Sequence, residues 1–205
     1  MGEVLELRQY TVRPEQRDVL IELFDREFVE TQEAEGMAIL GQFRDLDRPD
    51  RFVWLRGFAD MSTRAAALTA FYTGAAWRAH GAAANATMVD CDDVLLLRPV
   101  RGFGALGERP PVGAAGAPGS VILATIYLGD RPFDDSAGRA GGPALAWYRT
   151  EYAENDFPAL PVRTGVHALV SFTRAESPEA SVEPELASST THRLRLAPTA
   201  RSRLR

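Results

Sequence analysis

The stretch VLELRQYTV, residues 4–12, decides how the rest of the sequence is interpreted. Side chains of a β-strand alternate between two faces, so residues two apart share a face. Leu5 and Leu7 therefore share one face, whereas Glu6, Arg8 and Tyr10 share the other. The second face carries a carboxylate, a guanidinium and a phenol in a row, which is either a solvated surface or the lining of a polar site.

The first hundred residues alternate strands with helices. After the opening strand, the patterns predict a helix, two strands, a second helix and a strand at residues 13–36, 37–43, 51–58, 61–88 and 92–100. Pro14 suits a first helical turn and Gly36 suits a helix end. Gly74 predicts a break in the second helix, and Gly81 predicts a loose point within it. The order β-α-β-β-α-β is that of a ferredoxin-like unit.

The second half repeats the strands but not the helices. Residues 101–119 are rich in Gly, Pro and Ala, which predicts a linker. Strands are predicted again at residues 120–128, 143–157, 165–175 and 192–200. The intervening segments have no apolar stripe and contain Gly or Pro, so no helix is expected there. Residues 120–200 are therefore predicted to be a second, helix-poor copy of the first unit.

Composition excludes several classes of function. The formal net charge of −5 argues against a nucleic-acid partner, which requires a basic face. The chain has no lysine, so it has neither a Schiff-base lysine nor a P-loop lysine. Cys91 is the only cysteine, and the three histidines are far apart, so we expect no metal site. No apolar run approaches a membrane span, and we expect a cytoplasmic protein without a membrane partner.

Three stretches of the first half resemble the NIPSNAP family, which belongs to the dimeric α/β-barrel superfamily. They are ELRQYTVRP (6–14), GQFRDLDRPDRFVWLRGF (41–58) and AAWRAHGAAANATMVDCDDVLLLRP (75–99), and residues 153–172 resemble the family more weakly. The resemblance implies an α+β fold in which two tandem ferredoxin-like units, 1–100 and 120–200, form a barrel with helices outside. In that barrel we expect Leu5 and Leu7 to meet the helices and Glu6 to face the interior.

The expected site lies on the polar strand face. Buried charges must be paired or hydrogen-bonded, so this face is either a ligand site or a salt-bridge network that joins the two sheets. In a ligand site, Arg8 and Arg56 bind an anionic group, Tyr10 and Trp54 pack against the ligand, and Glu6 and Tyr10 act as acid or base.

Three further residues are candidates outside that strand face. His80 is a candidate for proton transfer, although a lone helical histidine is more often a surface or capping residue. Asn85 either binds a ligand or caps the broken helix. His167 is a ligand-binding candidate if it points into the barrel, and a core histidine otherwise.

Two functions agree with these residues. The first is a cofactor-independent enzyme or ligand binder that acts by proton transfer (isomerisation, cyclisation or oxygenation) on a partly anionic hydrophobic metabolite. This function rests on analogy with the superfamily fold. The alternative is a non-catalytic NIPSNAP-like binding or assembly protein. A polar cavity between the sheets favours the first, whereas a filled interior with Arg8 and Arg56 fully paired favours the second.

The shortage of helices in the second half also predicts that two copies of the chain associate. Without helices the outer face of the second sheet is left uncovered, with Trp147, Leu169 and Leu196 as its apolar residues. Exposed apolar faces of this kind usually bind a partner. We therefore expect a homodimer.

Overall fold

Eight antiparallel strands close into one barrel in the computed structural model, which describes residues 2–115, 119–136, 144–175 and 189–205. The strands are β1 (Val4–Val12), β2 (Ala38–Asp45), β3 (Arg51–Phe58), β4 (Met88–Arg101), β5 (Val121–Gly129), β6 (Ala146–Thr150), β7 (His167–Ala175) and β8 (Ser189–Pro198). The predicted α+β class is confirmed. The segments 129–142 and 176–190, predicted to lack helix, lie partly outside the described residues.

The strand order around the barrel is β1-β3-β2-β8-β5-β7-β6-β4. Within each half, the first strand therefore lies between the third and the fourth. Antiparallel pairs β2–β8 and β4–β6 join the two halves into one continuous sheet. The described part of the predicted linker after β4, residues 102–115 and 119, contains neither helix nor strand. Its Phe103 packs into the barrel core beside Tyr148 and Phe172.

The helices cover the outer face of the first half. They are α1 (Arg17–Leu23), a π-helical segment (Phe24–Phe28), α2 (Val29–Ala34), α3 (Met61–Thr73) and α4 (Ala75–Thr87). Gly36 follows α2 with φ of +86°, a conformation that glycine adopts at helix ends. Gly74 separates α3 from α4, as predicted. Gly81 is not a loose point, because it is buried in α4 and an added Cβ would lie 2.7 Å from the Trp77 ring. None of the described helices is long and apolar enough to cross a membrane.

The barrel interior is apolar, which reverses the predicted facing of β1. Leu5 and Leu7 point inward and belong to a cluster of buried side chains contributed by all eight strands. The polar face of β1 lies under the helices, where Tyr10 joins the aromatic core between helices and sheet. The expectation that Glu6 faces the interior was therefore wrong. An eight-stranded barrel is just wide enough to be filled by side chains, and aliphatic faces fill it without unpaired polar groups.

The outer face of the second half is covered. Trp147 and Leu169 are buried with Tyr127, and Phe133 packs against them. Leu196 points into the barrel instead. The expectation that these three side chains are exposed was wrong, so they give no support to a homodimer, which stays a prediction.

The burial of Leu7, which faces the barrel interior, can be tested by Leu7→Ala. Because Leu7 is fully buried inside the barrel, we expect its truncation to reduce the free energy of unfolding by about 2–5 kcal/mol in urea titrations. Leu46→Ala, at a side chain that is 42% exposed, is the control and should change little. Equal effects of the two substitutions would contradict this burial.

Candidate functional site

The polar face of β1 builds a cluster of four buried charged side chains, Glu6, Arg8, Arg56 and Arg64, called here the Glu6 cluster. The antiparallel register places Glu6 opposite Arg56, and Arg8 lies two residues along the same strand. Arg64 comes from the first turn of α3, which Asp60 caps by accepting a hydrogen bond from the Thr63 amide at 2.6 Å. All four side chains of the Glu6 cluster are 0% exposed.

Glu6 is the acceptor for all three arginines. Its Oε2 accepts from Arg8 Nη1 at 2.8 Å and from Arg56 Nη2 and Nε at 2.6 and 3.0 Å. Its Oε1 accepts from Arg64 Nε at 2.7 Å. Burial alone would raise the pKa of Glu6, but the guanidiniums of Arg56, Arg8 and Arg64 outweigh burial and hold that pKa well below its usual range.

The Glu6 cluster holds more positive than negative charge. Three guanidiniums share one carboxylate, which leaves two positive charges uncompensated among these fully buried groups. Arg56 is fully used, since its Nη1 donates to Gln32 Oε1 at 2.9 Å. Arg8 Nη2 and Arg64 Nη2, in contrast, are buried without a hydrogen-bond partner among the described residues.

Aromatic rings pack directly against the Glu6 cluster. Arg8 Nε donates to the Tyr10 hydroxyl at 2.9 Å, and its guanidinium carbon lies 5.5 Å from the centre of the Trp54 ring. The Arg56 guanidinium carbon is 4.9 Å from the Trp54 ring, within cation–π range. Burial raises the pKa of Tyr10 to about 12 against the opposing effect of Arg8, so this phenol is neutral near pH 7.

A small cavity of about 30 Å³ lies beside these rings, between the helices and the sheet. Its aromatic lining includes Tyr10, Phe24, Trp54, Phe71, Tyr72 and Trp77. The π-helical segment supplies part of this wall, since Phe24 lies 4.8 Å from Trp54 between ring centres. The cavity has room for about one or two water molecules.

The second half reaches this site through the loop between β6 and β7, residues 151–166. Arg64 Nη1 donates to Asn155 Oδ1 at 3.1 Å and to the Asp156 carboxylate. The Phe157 ring stacks on Tyr72 with ring centres 5.8 Å apart. The site is therefore built from both halves of the chain.

A larger opening lies elsewhere, a polar cleft of about 640 Å³ lined by both halves. Its charges compensate one another across the cleft. Asp93 lies 3.6 Å from Arg163 and 4.0 Å from Arg51, and all three side chains are partly exposed. Such solvated pairs contribute little and are common on protein surfaces. The Glu6 cluster is the stronger candidate because its charges are buried and unbalanced.

The family of the first half follows from its sequence. Residues 5–101 match the family model described as NIPSNAP. These residues are a NIPSNAP domain. The resemblance of the three first-half stretches is thereby confirmed, and the Glu6 cluster lies wholly within this domain. None of the curated proteins matches the chain.

Solved structures with the same fold include proteins that span the whole barrel. Two described as "putative monooxygenase", from Lactobacillus acidophilus NCFM and Fusobacterium nucleatum, cover 97% of the chain with 94% and 93% of their own length. Their identities to the chain are 10% and 9%, and both TM-scores are 0.57, so the similarity shows the fold alone. A NIPSNAP family protein from Agrobacterium tumefaciens covers 48% of the chain with 93% of its own length, at 18% identity and a TM-score of 0.45.

Five of the eight candidate site residues meet in the NIPSNAP domain, namely Glu6, Arg8, Tyr10, Trp54 and Arg56. His80 lies on the outer side of α4, 36% exposed and 3.4 Å from Glu27. Asn85 is exposed on the same helix. His167 is partly exposed on the outer face of β7, where its Nδ1 lies 2.8 Å from the Tyr152 hydroxyl. Within the described residues, no contact joins these last three to the Glu6 cluster.

Sequence reasoning missed Arg64, Gln32 and Asp156. A signal for Arg64 exists, because Arg64, Ala67, Leu68 and Phe71 recur at positions i, i+3, i+4 and i+7 and are all buried. An arginine inside such an apolar stripe indicates a buried partner. Asp156 had no local signal, since Asn155-Asp156 is typical of an ordinary turn. In the part of the chain that the structure describes, no group of acids, histidines and cysteine is arranged to hold a metal ion.

The charge imbalance predicts unequal effects of removing opposite charges. Glu6→Gln leaves three buried guanidiniums without their carboxylate, so we expect a loss of about 3–5 kcal/mol in the free energy of unfolding. Arg56→Met should cost less, because Glu6 keeps two arginines. Urea titrations measure both, with the exposed Glu22→Gln and the half-exposed Arg98→Met as controls. A larger loss for Arg56→Met than for Glu6→Gln would contradict the imbalance.

The lowered pKa of Glu6 predicts an acid-sensitive stability. The pKa of this carboxyl is lower in the folded than in the unfolded chain, so its ionised form stabilises the fold at pH values above the ordinary pKa of 4.5. That contribution is lost as the pH falls from 4.5 towards the folded pKa. Between about pH 6 and pH 3, stability should therefore fall more steeply in the wild type than in Glu6→Gln. Parallel curves for the two proteins would show that Glu6 is not held ionised.

Proposed function

We propose that the chain binds a small, partly hydrophobic anion between the helices and the sheet of its NIPSNAP domain. One observation carries the proposal: three fully buried arginines share one fully buried glutamate, and the pairing of Arg64 with Asp156 still leaves one positive charge uncompensated. A salt-bridge network that served only to join parts of the fold would balance its charges, because an uncompensated buried charge costs several kcal/mol.

The free donors indicate where the anion binds. Arg8 Nη2 and Arg64 Nη2 are buried and without partners. A guanidinium presents its donors in a planar fork that fits a carboxylate or sulfonate. These two atoms, and not Arg56 as expected from the sequence, are the proposed anion contacts.

The aromatic wall indicates the body of the ligand. Tyr10 and Trp54 pack beside the arginines and also line the cavity. Flat apolar rings of this kind pack against an aromatic or aliphatic group. The cavity of about 30 Å³ is smaller than any such ligand, so binding selects a minor, opened state of the site.

We further propose that the site carries out proton transfer on the bound anion. Tyr10 is the group best placed for proton transfer, since its hydroxyl accepts a hydrogen bond from Arg8 Nε and lies at the cavity wall. Glu6 is a poor base, because three guanidiniums lower its pKa, and it acts by positioning the arginines. A cofactor-independent isomerisation, cyclisation or oxygenation agrees with this arrangement and with the fold shared with the two proteins described as putative monooxygenases.

A non-catalytic binding or assembly protein is the second candidate. The filled apolar interior of the barrel and the fully paired Arg56 favour it.

The strand order within each half agrees with two tandem ferredoxin-like units, so we extend the proposal to a single-chain barrel of two such units.

Benzoate and benzamide test the proposed binding, because they have nearly the same shape and differ in charge. Titrations followed by NMR should show binding of benzoate and not of benzamide. Arg8→Met should weaken benzoate binding by about 30-fold or more, the loss typical of truncating one partner of a buried charge pair. Arg98→Met is the control at a half-exposed arginine. Equal binding of both probes, unaffected by Arg8→Met, would refute the proposal.

A further inference from the structure

We propose that the loop between β6 and β7 is the lid of this site and that its Asp156 restricts the ligand to a single negative charge. This inference rests on the proposed function and assigns it a substrate class. It concerns a part of the chain that lies outside the NIPSNAP domain.

The lid is fixed at both ends and held to the site by side chains between them. At its start the Glu151 amide donates to the Leu96 carbonyl at 2.9 Å, and near its end the Arg163 amide donates to the Val94 carbonyl at 2.9 Å. Both anchors are on β4. Between them, the ion pair of Asp156 with Arg64 and the stacking of Phe157 on Tyr72 hold the loop against α3, whose Tyr72 lines the cavity.

The segment that closes the site is internally braced. Asn155 Oδ1 accepts from the Phe157 amide at 3.2 Å, and Asn155 Nδ2 donates to the Leu160 carbonyl at 3.0 Å. Phe157 and Leu160 pack against the core between helices and sheet. Residues 155–160 therefore move as one body when the loop opens.

Arg64 divides its donors between the interior and the lid. Its Nε binds Glu6, its Nη1 binds Asn155 and Asp156, and its Nη2 is free. Asp156 and a ligand on Nη2 thus use different atoms of one guanidinium. The Asp156 side chain is 26% exposed, which places it at the solvent end of the site. Asp156 is a latch beside the bound anion and does not compete for its place.

Charge balance gives the ligand class. The fully buried groups have an excess of two positive charges, and Asp156 compensates one of them. A monoanion such as a carboxylate or sulfate ester compensates the other when the lid is closed. A dianion would leave one negative charge in excess under the lid, and burying an uncompensated charge is unfavourable.

Phenyl sulfate and phenyl phosphate form a matched pair for the test, because they share a shape and carry one and nearly two negative charges at about pH 8. Wild type should prefer the sulfate. Asp156→Asn removes one negative charge, so the ratio of the two affinities should shift towards the phosphate by about tenfold or more. Glu154→Gln, at an exposed acid of the same loop, is the control and should leave the ratio unchanged.

A second measurement follows the lid itself. Without a probe, amide hydrogen exchange in residues 152–162 should be faster in Asp156→Asn than in wild type and Glu154→Gln, because the latch is lost. With phenyl sulfate, those amides should be slowed in wild type.

The outcomes separate the two proposals. Binding of both probes with the same ratio in wild type and Asp156→Asn, or loop exchange that neither the substitution nor the probe changes, overturns the lid and leaves the anion site standing. A gain for phenyl sulfate in Asp156→Asn that equals or exceeds the gain for phenyl phosphate overturns the restriction to one negative charge. Failure of every variant to bind either probe refutes the anion site and this inference with it.

Discussion

The Glu6 carboxylate is the constraint around which the first half is arranged. It accepts hydrogen bonds from β1, β3 and α3 at once, so it fixes the position of a helix on the sheet as well as the strands to one another. These side chains are 0% exposed, and each hydrogen bond between them is charge-assisted and therefore strong. The same carboxylate also holds three like charges together, which would otherwise repel one another in a region of low dielectric constant.

The two faces of the sheet carry different kinds of side chain. The inner face is apolar, and its aliphatic and aromatic side chains pack together inside the barrel. The outer face of the first half has the charges and the rings, and the helices cover them. In the second half, Tyr127, Trp147 and Leu169 form a small apolar cluster on the outer face instead. The buried charges of the Glu6 cluster are thus confined to the helical side of one half, and the other half contributes the loop that pairs with Arg64.

Local patterns predicted most strands and helices of the first half, and they grouped five side chains that meet around Glu6. Alternation on β1 and β3 grouped Glu6, Arg8 and Tyr10 with Trp54 and Arg56, because residues two apart must share a face. Alternation does not say which face of a strand points into the barrel. The polar face of β1 was predicted to point inward, whereas it lies under the helices. Only tertiary partners decide it: the helices bring Arg64 and Gln32 to the polar face, whereas the barrel interior offers that face no partner.

The continuous sheet has a consequence for how the site is covered. In a barrel assembled from two chains, a loop of one subunit would meet the site of the other only as often as the concentration of protein allows. Here β4 pairs directly with β6, the strand that precedes the loop, so site and cover are parts of one molecule. Closure is then an intramolecular event with a fixed effective concentration. Dilution would leave the proposed closure unchanged, because the Glu6 cluster and the loop that pairs with Arg64 belong to one copy of the chain.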